Sequence, residues 1–90
     1  MRDRSPPAWR DDIDSLAFRP DGHDGVCMVH RRAFRTLLKR VATADDCADF
    51  FRRHEAAFQA AARAKIERAM LGQGANLHLT SRDVARQMTN

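Results

Sequence analysis

The sequence predicts an α+β domain in the order ββααβα, a small antiparallel three-stranded sheet packed against a long helix. Three observations carry that expectation. Two short apolar runs, residues 16–18 and 26–29, flank the turn-rich segment Pro20-Asp21-Gly22-His23-Asp24-Gly25. Residues 44–71 contain neither Gly nor Pro. Leu77 and Leu79 alternate with Asn76, His78 and Thr80, the period of a half-buried strand.

Residues 1–15 hold Pro6-Pro7, scattered charges and only Trp9 and Ile13 as large apolar groups, so they read as an irregular arm ahead of a single domain over 16–90. An indole is costly to leave in water, and Trp9 is expected to pin the arm to the domain. The two apolar runs are too brief for helices. Asp-Gly occurs twice between them and tolerates positive φ, which predicts a hairpin from about 16 to 30. Pro20 cannot donate to a ladder and marks the end of the first strand.

From Arg31 the apolar period changes to that of a helix, through Ala33, Phe34, Leu37, Leu38 and Val41, with Arg31, Arg32, Arg35 and Lys39 pointing elsewhere. Thr43 is an N-cap with Asp46 three residues on, a variant capping box. One helix then runs over 44–71 and stops at Gly72. At about 1.5 Å per residue it spans about 42 Å, more than the roughly 30 Å of a small domain, so it must overhang, bend or lie on another chain. Advancing 100° per residue puts Phe51 and Phe58 beside Cys47, with Arg52, Gln59, Arg63 and Glu67 opposite. Ala56, Ala57, Ala60, Ala61, Ala62 and Ala64 would permit close approach of another backbone. After a strand at 76–80, Ser81 is expected to cap a last helix from about Arg82 to Met88.

Ninety residues make one domain, and fifteen of the hydrophobic side chains are alanine, so the core must be small. No apolar run approaches the roughly 20 residues that cross a bilayer, and the polar first fourteen residues do not resemble a signal peptide, which points to the cytoplasm. Two cysteines, Cys27 and Cys47, are too few for a disulfide framework and read as small buried hydrophobes.

No cofactor, metal or catalytic set is expected. His23, Cys27, His30, Cys47, His54 and His78 lack the close pairing that seeds zinc sites. Cys27 and His30 would point to opposite faces of a strand, which excludes a nucleophile and base pair. His54 and Lys65 fall at the centre of the long helix's apolar face and form the candidate ligand or pH-sensitive pair. Their bland alternative is a hydrogen-bonded core histidine and a lysine that snorkels to solvent. The net charge of +4 is concentrated over 31–40, where five cations meet no acid. Arg31, Arg32, Arg35, Lys39 and Arg40 are therefore candidate phosphate contacts, or else a solvated face. Residues 79–87 resemble the first helix of a helix-turn-helix, but too few residues follow for a recognition helix.

Taken together, Phe18, Asp24-Gly25-Val26-Cys27, Val29, Asp46, Phe50, Phe58, Ala62, Lys65-Ile66 and Leu77-His78-Leu79-Thr80-Ser81-Arg82-Asp83 resemble a small bacterial family catalogued as domain of unknown function 1488. The resemblance covers most of residues 16–84 and implies a compact α+β domain with no catalytic residues to carry over. His54 and the Phe-rich face depart from its usual aliphatic choices. The leading functional expectation is a non-enzymatic interaction module that self-associates through the alanine-rich helix. The alternatives are weak nucleic-acid binding through 31–40 and a small-ligand or catalytic pocket around His54 and Lys65.

Overall fold

The computed structural model describes residues 6–88. Strands β1 (Ala8–Arg10), β2 (Ser15–Phe18), β3 (Cys27–His30) and β4 (Leu77–Leu79) form one sheet in that order, and helices α1 (Arg31–Leu38), α2 (Ala44–Arg53), α3 (Glu55–Ala69) and α4 (Ser81–Met88) pack with it. The α+β class is as expected. The sheet is not the expected antiparallel three-stranded one, because it gains a strand from the arm and its β3–β4 pair is parallel. Three helices separate β3 from β4, and such a crossover can return the chain to the end from which a parallel strand starts.

The described part of the arm is therefore not irregular. β1 pairs antiparallel with β2, a 3-10 turn covers Asp11–Ile13, and Asp14 in the left-handed region (φ 51°) reverses the chain into β2. Trp9 sits opposite Leu16 and is half-buried against the core, as its indole demands.

Cross-strand register builds the core in two rows. Trp9, Leu16, Val29 and Leu79 are successive partners across all four strands, and Phe18, Cys27 and Leu77 form the next row. Phe34 of α1, Phe50 and Phe51 of α2, Phe58, Ala61 and Ala62 of α3, and Val84 of α4 close over these rows in a single apolar cluster. The row between them, Ala8, Ala17, Met28 and His78, is exposed or half-buried, so only one face of the sheet is fully covered.

The single 44–71 rod is absent. It divides at His54, whose φ of −126° and ψ of 29° leave the helical region. The His54 amide reaches back to both the Phe50 and Phe51 carbonyls, while its own carbonyl starts α3 by accepting from Ala57 and Phe58. No Gly or Pro causes this break. A rod of about 42 Å would exceed the 34 Å longest extent of the molecule, and dividing it keeps Phe50, Phe51 and Phe58 on one core. The length argument for a companion protomer loses its premise with the rod. The C-terminal end also differs, since α3 stops at Ala69 with Met70, rather than Gly72, in the left-handed region. There the Leu71 amide bonds the Ile66 carbonyl and Leu71 folds back onto the core.

The two Asp-Gly pairs do different work. Gly22 supplies the positive φ of 74° that the turn requires. Gly25 has an ordinary φ but lies where a Cβ would collide with the Ala75 carbonyl group. That contact belongs to a zipper between the β2–β3 loop and the α3–β4 loop. Asp24 N donates to Gln73 O at 2.9 Å, Val26 N to Asn76 Oδ1 at 2.9 Å, and Gln73 Nε2 to Gly22 O at 2.8 Å. A His23 ring nitrogen lies 2.7 Å from Ala75 O, which explains why this histidine is buried.

Candidate functional site

Helix α1 starts directly from β3, and its first residues are fixed by His30. The His30 Nδ1 accepts from Arg32 N at 3.0 Å, so the imidazole is the N-cap and its Nδ1 is unprotonated in this arrangement. Lys39 takes the left-handed conformation (φ 61°) and its amide bonds Arg35 O, which ends the helix at Leu38. The expected stripe therefore closes at Leu38. Val41 lies beyond it at 76% exposure, and Arg40 belongs to the loop rather than to the helix.

The five candidate phosphate contacts separate into two groups. Arg31 is occupied. Its Nε and Nη2 reach Asp14 Oδ1 at 2.9 and 2.8 Å, its Nη1 donates to Ala42 O at 2.7 Å, and its guanidinium lies 5.0 Å over the Trp9 ring. Hydrogen bonding from Arg31 holds the Asp14 carboxyl below its usual range. Arg40 is shared with Asp46, whose Oδ2 accepts from Thr43 N at 3.0 Å and from Arg40 Nη1 at 3.1 Å. The Thr43 bond and then Arg40 lower the Asp46 pKa, and the return bond from Asp46 N to Thr43 Oγ1 completes the expected capping box.

Arg32, Arg35 and Lys39 are different: all three are exposed and carry no ion pair among the described residues. At 100° steps Arg32, Arg35 and Thr36 fall on the side of α1 opposite Ala33, Phe34 and Leu37, and Lys39 follows at the C-cap. A shallow groove of about 490 Å³ runs along this side between Arg32, Arg35, Thr36, Arg40 and Val41. A second, of about 320 Å³, shares Arg32 and Thr36 and is bordered by His30, His78, Thr80 and Ser81. The site is thus an open cationic face, with hydroxyl and imidazole groups at one end.

Arg31 joins the arm to this face, which is testable with the chain's one tryptophan. Arg31→Ala is expected to shift Trp9 fluorescence to longer wavelength and to raise amide exchange in β1, because the indole loses the cation covering it. Unchanged emission would show that β1 holds its place without the clamp.

His54 and Lys65 are not brought together by a shared helical face, since the break falls at His54 itself. The His54 ring lies 4.5 Å from the Phe50 ring, half-buried at the junction of α2 and α3. Lys65 turns instead to β4 and α4. Its Nζ donates to His78 O at 2.6 Å and to Asp83 Oδ2 at 3.0 Å. Asp83 Oδ2 also accepts from Thr80 N at 2.9 Å, and Asp83 N donates to Thr80 Oγ1 at 3.2 Å. The N-cap of α4 is accordingly Thr80, not the expected Ser81, in a capping box with Asp83. Burial acts to raise the Asp83 pKa, but the Thr80 amide and the Lys65 ammonium outweigh it and leave the carboxyl lowered. Arg68 lies 3.6 Å from the other oxygen.

Burial raises the thiols of Cys27 to about 12 and of Cys47 to about 11, which keeps both protonated and poorly nucleophilic near neutrality. Among the described residues no group of three or more His, Cys, Asp or Glu is placed to hold a metal ion, and no helix is long and apolar enough to cross a membrane. Comparisons with protein-family models, with curated proteins and with solved structures returned no match to this chain.

Proposed function

We propose that this chain is a binding module for nucleic acid, that the basic side of α1 is its contact surface, and that Arg32, Arg35 and Lys39 hold the phosphates, with Arg40 at the margin. One observation carries the reading: Arg32 and Arg35 on one side of α1 and Lys39 at its C-cap have no ion-pair partner among the described residues, while neighbouring Arg31 is fully engaged in holding the arm. Unpaired arginines release counterions from a phosphate backbone without first breaking an internal pair. The open grooves beside them suit an extended ligand better than an enclosed small molecule.

Fluorescence anisotropy with labelled nucleic acid at about 50 mM salt tests this reading. Binding is expected to weaken as salt rises and to disappear in the triple variant Arg32→Glu, Arg35→Glu, Lys39→Glu, with its circular dichroism unchanged. Absence of binding by the unaltered chain at low salt would remove the reading, as would full binding by the folded triple variant.

A further inference from the structure

We infer that the nucleic acid is a duplex, held through its backbone without regard to base sequence; this rests on the nucleic-acid reading above. Recognition of a single strand relies on stacking bases upon aromatic side chains, which supplies affinity that charge alone does not. Here the phenyl and indole rings are committed elsewhere, and the only rings bordering the face among the described residues are the imidazoles of His30 and His78, the first of which caps α1. Phe18, Phe34, Phe50, Phe51 and Phe58 are all buried in the core, and Trp9 lies beneath the Arg31 guanidinium. The exposed side of α1 offers Arg32, Arg35, Thr36 and Lys39, none of which is an aromatic platform.

A face that binds by charge alone favours the ligand with the densest charge. Arg32 to Lys39 spans seven helical steps, about 10 Å. Over that length a duplex presents about six phosphate charges, one per roughly 1.7 Å, against about three on one strand. Two phosphate rows can therefore meet three cations carried by a rigid helix and its C-cap.

Reading of adenine is also poorly provided for, which leaves the cations of this face to the phosphates. The amides suited to pairing with adenine are absent from α1, and three of those elsewhere bond backbone: Gln59 accepts from Asp21 N, Gln73 donates to Gly22 O, and Asn76 accepts from Val26 N. Thr36 can donate to a phosphate or a base edge, but its hydroxyl is 3.2 Å from Arg32 O within the helix.

Anisotropy titrations of the whole chain with two 24-base-pair duplexes of unrelated sequence, and with one strand of each, decide the matter. Both duplexes are expected to bind alike and more tightly than either strand. Three phosphate contacts give a log–log salt slope near −2.7, so affinity should fall roughly 40-fold between 50 and 200 mM salt. Arg32→Gln, Arg35→Gln and Lys39→Gln should each reduce the slope by about 0.9. Equal or tighter binding of the single strands would overturn the inference and leave the nucleic-acid reading intact. More than tenfold preference for one duplex would overturn its sequence independence. Failure of every probe to bind would overturn both.

Discussion

Phe58→Ala is expected to lower the unfolding free energy by about 3–5 kcal/mol, the cost of emptying an aromatic position in a well-packed core. Phe58 is fully buried, and its ring centroid lies 5.0 Å from Phe51, 5.7 Å from Phe34, 6.2 Å from Phe50 and 6.4 Å from Phe18. Those four rings come from β2, α1 and α2, so one side chain of α3 joins its helix to the sheet and to two other helices. A domain of this size holds in total only about 5–13 kcal/mol. The variant should consequently be partly unfolded near physiological temperature, and Phe58→Leu should retain more of the stability because it leaves a smaller void. Urea titration followed by circular dichroism measures both. A loss below about 1 kcal/mol for Phe58→Ala would mean that the neighbouring rings collapse into the space and that no single residue organises the core.

The same aromatic set explains which parts of the fold were legible in the sequence. Short apolar runs on either side of a turn-rich segment marked β2 and β3, alternation marked β4 and the helical stripe marked α1, because each of these signals is local. The Thr43–Asp46 box was legible because both members lie within one turn. β1 was not, since a three-residue strand with a single large apolar group, Trp9, has too little pattern to distinguish it from coil. The helix length made a bend one of three expected outcomes, but its position at His54 was not legible, because no local breaker stands there.

The candidate site was legible as a charged segment but not as a surface. Arg31 and Arg35 lie only 40° apart on a helical wheel, yet Arg31 is taken up by Asp14, seventeen residues earlier, and by the Ala42 carbonyl. Such partners are set by the tertiary fold. The zipper between the Gly25 and Ala75 loops was equally hidden, because Asp24-Gly25 resembles a turn pair while its role is close approach of two backbones. Lys65, expected at the centre of the apolar face, is partly buried at 28% exposure, but its target is the start of α4 rather than a pocket shared with His54.

That target gives the second large effect. Asp83→Ala is expected to cost about 2–3 kcal/mol, since it removes the carboxylate half of the Thr80–Asp83 box and leaves the Lys65 ammonium with fewer acceptors. The Asp83 side chain is 11% exposed, well below the exposed ion pairs of α2 at Asp49, whose removal should be close to neutral. Asp83→Asn separates the two contributions, because it keeps an acceptor for the Thr80 amide and loses only the charge. A double-mutant cycle with Lys65→Met should give a coupling above about 1 kcal/mol; a coupling near zero would reduce the Lys65–Asp83 pair to an ordinary surface contact. The pH dependence follows from the direction of the shift. Asp83 has a lower pKa in the folded chain than in the unfolded one, so its contribution is complete above the unfolded carboxylate value near 3.8 and is lost as the pH falls through the lower folded value. Acid unfolding of the unaltered chain should accordingly begin below about pH 4–5, and Asp83→Asn should flatten that limb while lowering stability at pH 7. If the acid limb is identical in the two proteins, the carboxylate of Asp83 is not what ties α3 to α4.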